Sequence, residues 1–138
     1  MNVLETEWWT MALPPEWWAE SEEESILVGD RDNVGCIEIS TLHKEQGEFD
    51  LDEVRNIARA ESEQALEWRR VTLGDFEGVQ SRFVEEASAI REWYLMHGAT
   101  LLYITYSCDE ENAGMDDAAV DELLDTLALV TGDRPAPA

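Results

Sequence analysis

The sequence predicts an α/β protein of the α+β type, an antiparallel sheet of about six to seven strands with helices packed on its faces. Three observations predict it. The stretch from Gly78 to Cys108 is broken at Glu86-Ala87-Ser88 and at His97-Gly98, both turn-prone, so it reads as three consecutive antiparallel strands. Its last limb, Ala99 to Cys108, is apolar on both alternating faces, with Leu101 and Tyr103 on one and Leu102, Ile104 and Tyr106 on the other. A strand of that kind needs cover on each side of its sheet. Two segments with helical spacing, Asp50 to Leu66 and Met115 to Val130, are available to supply it.

The remaining elements follow in chain order. Trp8 to Leu13 is a short strand that Pro14 and Pro15 end, because proline donates nothing to a ladder and restricts the residue before it. The run Glu20, Glu22, Glu23 and Glu24 reads as a solvated loop leading into a brief apolar run at Ser25 to Gly29. Asp30-Arg31-Asp32-Asn33 is turn chemistry, and Val34 to Leu42 resumes as a strand with Ile37 and Ile39 facing away from Glu38 and Ser40. Asp50 is the expected N-cap of the first helix, with Glu53 at the capping-box position and Leu51, Val54, Ile57, Ala58 and Ala65 as its apolar stripe. Trp68 to Leu73 is the next strand, and 74–78 the loop into the meander. In the last helix Val120, Leu123, Leu124, Leu127 and Val130 share a face, and Gly132 closes it ahead of a frayed tail.

Composition narrows the partners. The chain has 138 residues, 44% hydrophobic and 30% charged, enough for one core without a disulfide or metal staple. With 32 acidic residues against 9 basic ones the formal charge is -23, which repels phosphate backbones and anionic membranes and disfavours nucleic-acid binding, so no nucleic-acid partner is expected. A basic partner, a cationic ligand or no partner at all remain, the last with the acidic surface serving solubility or a high-salt cytoplasm. No membrane-spanning run and no signal-peptide pattern is seen, so the expected compartment is the cytoplasm.

Catalytic, cofactor and metal sites are expected to be absent. Asp109, Glu111 and Gly114 match part of a calcium-loop template, but Ala113 and Val120 stand where ligand oxygens are required. His43 and His97 have no second ligand at metal spacing, and Cys36 and Cys108 read as small buried hydrophobes rather than as a disulfide or a nucleophile. The aromatic residues carry more. Adjacent tryptophans, Trp8-Trp9 and Trp17-Trp18, cannot both point inward from a strand, so one of each pair lies at a rim or groove or caps the core. The candidate binding residues are therefore Trp9, Trp17, Trp18 and Trp93, with Arg82 and Arg91 on the more hydrated first two strands of the meander.

The order of elements, with Leu13, Pro14 and Trp17 after the first strand, Gly78 opening the meander and Leu123, Leu124 and Leu127 in the closing helix, resembles the PsbP-like superfamily. That group includes the photosystem protein PsbP, the Ran-binding Mog-type factor, and bacterial relatives such as chaperones of type VI secretion effectors. The resemblance implies a PsbP-like sandwich over residues 1–131 with a flexible tail at 132–138, and a non-enzymatic bacterial adaptor or chaperone that binds a protein, basic or bearing apolar segments. It leaves a homodimer open. Two alternatives stand beside it: a small-molecule binding or enzymatic domain with a pocket between sheet and helix, and a structural subunit of a larger assembly.

Overall fold

The structure is a computed structural model describing residues 2–65 and 67–130. The expected end of the first helix at Leu66, the closing Gly132 and the tail lie outside the described residues. In order, the elements are β1 (Asn2–Glu5), β2 (Trp9–Leu13), β3 (Trp17–Ser21), β4 (Ile26–Asp30), β5 (Gly35–His43), α1 (Leu51–Glu61), β6 (Arg69–Leu73), β7 (Phe76–Glu85), β8 (Ser88–His97), β9 (Thr100–Asp109), a 3-10 turn (Glu110–Asn112), α2 (Asp117–Leu124) and β10 (Ala128–Leu129). Seven strands form one sheet in the order β3-β4-β5-β9-β8-β7-β6, and β1-β2-β10 form a second, smaller one. Every pairing is antiparallel.

The meander is β7, β8 and β9, and the two-sided character of β9 divides the core. Leu102, Ile104, Tyr106 and Cys108 join Trp9, Met11, Val28, Ile37, Ile39, Trp93, Leu95 and the α2 residues Val120, Leu123 and Leu124 in one cluster. Leu101 and Tyr103 belong to the other, with Val54 and Ala58 of α1, Val79, Tyr94 and Met96. One face of the large sheet is thus covered by α1. The small sheet, together with α2, covers the opposite one.

Helix α1 starts where the capping chemistry puts it. Asp50 accepts a hydrogen bond from the Glu53 amide at 2.8 Å, while the Glu53 side chain turns to Lys44 Nζ at 2.8 Å instead of closing the box. Ser62 ends the helix, so Ala65 lies beyond the stripe expected of it. The turn between β7 and β8 is made by Glu86 and Ala87, both with positive φ, the geometry a two-residue hairpin needs.

Three expectations are corrected. Glu20 lies in β3, not in a loop, because Trp17 and Ala19 pack inward while Trp18 and Glu20 alternate outward. The connection at 74–78 is only the Gly74-Asp75 turn: Phe76 and Gly78 are already paired in β7, with Leu73 and Val71 as partners. The helix expected over Met115 to Val130 stops at Leu124, since Ala128 and Leu129 pair with Thr10 and Trp9 and draw the chain into a strand. The small sheet and its first strand, β1, have no counterpart in the sequence reading.

Candidate functional site

Helix α1 packs mainly over β7 and β8 and reaches β9 at Leu101. The same face of the sheet continues across β5, β4 and β3, where Leu42, Glu38 and Trp18 are exposed. The register fixes which side chains stand there: Trp18 beside Gly29, Gly29 beside Cys36, Leu27 beside Glu38, Ser40 beside Tyr103, and Leu42 beside Leu101. From Cys36 to Leu42 this strip runs roughly 20 Å at the rise of a strand. Trp18 is 38% exposed and Leu42 57% exposed, two of the large apolar side chains the fold leaves in water. Glycine makes room for the first of these: a Cβ on Gly29 would stand 2.5 Å from Trp18 Cζ2, so the indole lies flat on the backbone, its Nε1 donating to the Asp30 carbonyl at 3.2 Å.

At the α1 end the strip deepens into a recess of about 370 Å³ between the helix and the β5-β9 pair, lined by Ser40, Leu42, Ile57, Glu61, Tyr94, Leu101 and Tyr103. A polar network lies beneath it. Tyr103 donates to Glu92 Oε2 at 2.5 Å, the Tyr94 and Tyr103 rings lie 4.8 Å apart, and the Tyr94 hydroxyl shares a 2.9 Å hydrogen bond with Ser62 Oγ. Glu92 is 6% exposed and its Oε1 has no hydrogen-bond partner. Burial, then the bond to this carboxylate, drives the Tyr103 hydroxyl well above the ordinary tyrosine range. Burial also raises the Tyr94 hydroxyl, against the opposing effect of Ser62.

The candidate residues separate cleanly. Trp9 is fully buried, its Nε1 donating to Thr41 Oγ1 at 2.9 Å, and Trp93 is fully buried under the Arg91 guanidinium, 4.6 Å from the ring centroid. Neither meets a partner on the folded surface; both are core. Trp17 packs against the same cluster, and Trp18 alone of the set lies on the open strip. Trp8, the rim member of its pair, stacks on His43 at 3.8 Å. Arg91 is buried and holds α2 to the sheet through Asp121 at 2.7 Å and Asp117 at 3.4 Å, with exposed Arg82 adding a 3.0 Å contact to Asp117. Those two arginines fasten the opposite face, away from the strip.

Histidine and cysteine side chains lie apart. His97 pairs with Thr100 and Cys108 with Ala89, at opposite ends of β8 and β9. Cys36 and Cys108 are free and stand on opposite faces of the sheet, so no disulfide joins them. Among the described residues no group of three or more His, Cys, Asp or Glu side chains is gathered for a metal ion. No helix there is long and apolar enough to cross a membrane.

Missed by the sequence reading were Glu92, Tyr94, Leu42 and Ile57. A signal for Glu92 existed: it is a carboxylate in β8, a strand whose neighbours Tyr94, Leu95 and Met96 are all buried.

The fold is thus an α+β sandwich with one sheet face partly open. Solved structures share it: a protein from Bacteroides thetaiotaomicron VPI-5482 superposes with a TM-score of 0.69 at 19% identity over 94% of this chain. The chain spans 48% of that protein's length. LpqN of Mycobacterium tuberculosis, a protein involved in cell envelope biogenesis, superposes with a TM-score of 0.59 at 15% identity, covering 89% of this chain and 83% of its own. No protein-family model matches the chain, and no curated protein matches it in sequence.

Proposed function

We propose that this chain is a non-enzymatic protein-binding adaptor or chaperone, and that the open strip receives a segment of a partner carrying apolar residues between lysines or arginines. One observation carries the reading: Trp18, Leu27 and Leu42 share an uncovered sheet face whose neighbouring side chains are Glu20, Glu38 and Glu61. Apolar surface in that setting gains from burial, about 25 cal/mol per Å² removed from water. The carboxylates, on a chain of net charge -23, favour a cationic segment and oppose an acidic one. We assign the chain to the PsbP-like superfamily on the same footing, from Leu13, Pro14, Trp17, Gly78 and the closing helix. The cytosol is the proposed compartment, as expected from the sequence.

Selection of displayed random peptides against the folded protein tests the docking surface. Enriched sequences should combine Lys or Arg with Leu, Ile or Phe, should lose binding at high salt, and should be lost on Trp18→Ala or Leu42→Ser. Both positions are exposed, so these variants should fold. Enrichment of acidic sequences, or binding that survives both substitutions, sinks the proposal.

A further inference from the structure

The recess at the α1 end of the strip has a composition that selects one kind of side chain. Leu42, Ile57 and Leu101 form apolar walls, the Tyr94 and Tyr103 rings contribute aromatic surface, and Glu61 brings a carboxylate to the rim. Because Glu61 is the last residue of α1, the helix also presents its negative end here. Tyr103 commits its proton to the buried Glu92, which leaves the phenol electron-rich and its oxygen an acceptor. Electron-rich rings beside a carboxylate attract a cation.

We infer that this recess binds a primary ammonium on an aliphatic stem, the side chain of a lysine in the docked segment, with the stem along Leu42, Ile57 and Leu101 and the head against Tyr94, Tyr103 and Glu61. A guanidinium fits less well. Its planar fork calls for a carboxylate free to bond twice, whereas the carboxylate beside the rings, Glu92, already holds Tyr103 on Oε2. The inference rests on the docking reading above for the source of the lysine, but the chemistry of the recess can be examined without a partner.

The probe is hexylammonium, titrated into the folded protein while the methyl resonances of Leu42, Ile57 and Leu101 are followed by NMR, with hexanol and hexylguanidinium as comparators. Hexylammonium should shift those methyls saturably and bind at least tenfold more tightly than hexanol and severalfold more tightly than hexylguanidinium. Glu61→Gln, at an exposed position, should weaken hexylammonium severalfold and leave hexanol unchanged. Tyr103→Phe, which keeps the ring but breaks the bond to Glu92, should weaken it as well. Equal affinity for hexanol, tighter binding of the guanidinium, shifts centred elsewhere, or indifference to Glu61→Gln would each overturn the inference. Peptide selection that depends on Trp18 and Leu42 alongside a silent hexylammonium titration would remove the lysine site alone; the reverse pattern would remove the docking surface alone.

Discussion

All three tyrosines of the chain should stay protonated until the fold is lost at high pH, making alkaline unfolding steep and spectroscopically clean. Tyr94, Tyr103 and Tyr106 each have a hydroxyl held above its ordinary range: by burial first in every case, then for Tyr103 by its bond to Glu92 and for Tyr106 by a 2.6 Å bond to Asp116. The sign follows from proton counting. Below about pH 10 both folded and unfolded chains keep these protons, so the stability they contribute is fully present. Above it the unfolded chain releases them and the folded chain does not, so stability falls as pH rises toward the folded values. Each group then costs up to about 1.4 kcal/mol per pH unit until its own folded value is reached, so Tyr103 and Tyr106, the more strongly raised pair, together cost up to about 3, and Tyr94 adds a smaller share. For a domain of about 5 to 8 kcal/mol the midpoint falls above about pH 11. Absorbance at 295 nm reports tyrosinate and circular dichroism reports the fold. The two curves should coincide, with about three protons released in the transition, and Tyr103→Phe should reduce that number to about two. Tyrosinate appearing near pH 10 while the ellipticity holds would refute the burial and bonding assigned to these rings.

Other perturbations have defined outcomes. Arg91→Ala removes the buried group that holds Asp117 and Asp121 and covers Trp93, and should cost about 3 kcal/mol in urea unfolding, whereas Arg82→Ala, whose guanidinium is exposed, should cost under about 1. Asp50→Ala should cost about 1 kcal/mol through loss of the α1 cap, read from the urea midpoint at constant slope. With 32 acidic residues against 9 basic, the melting temperature should rise by several degrees between about 20 mM and about 500 mM NaCl; a flat response would show that self-repulsion does not limit this fold.

What could be read from the sequence depended on the range of the forces involved. The turn at Glu86-Ala87, the cap at Asp50 and the two-sided apolarity of β9 are properties of neighbouring residues, and each stands in the fold as its residues imply. Strand β10 shows the opposite. Leu127 and Val130 continue the helical spacing of Leu123 and Leu124, yet the Asp75 amide donates to the Leu127 carbonyl and the Val130 amide to that of Trp8, so partners far away in sequence override the local period. In β3 the acidic Glu20 masked an alternation that Trp17 and Ala19 complete. The candidate site was legible in one residue, Trp18, because adjacent tryptophans must part on a strand. Tyr103 and Glu92 meet only across the β8-β9 pairing, and the openness of the strip comes from where α1 lands, which no stretch of the chain records by itself.

The pairing of β10 with β2 also sets a timetable. During synthesis the meander and β5 can assemble once residue 109 has emerged, but one flank of that sheet is still without α2, and β1-β2 is without the strand that completes its sheet. Trp93 and Leu95 wait for Val120 to Leu127 to arrive. A nascent chain stalled before that point would offer water an apolar surface that the folded sheet never shows, so here an element made after the sheet shields the intermediate from its neighbours.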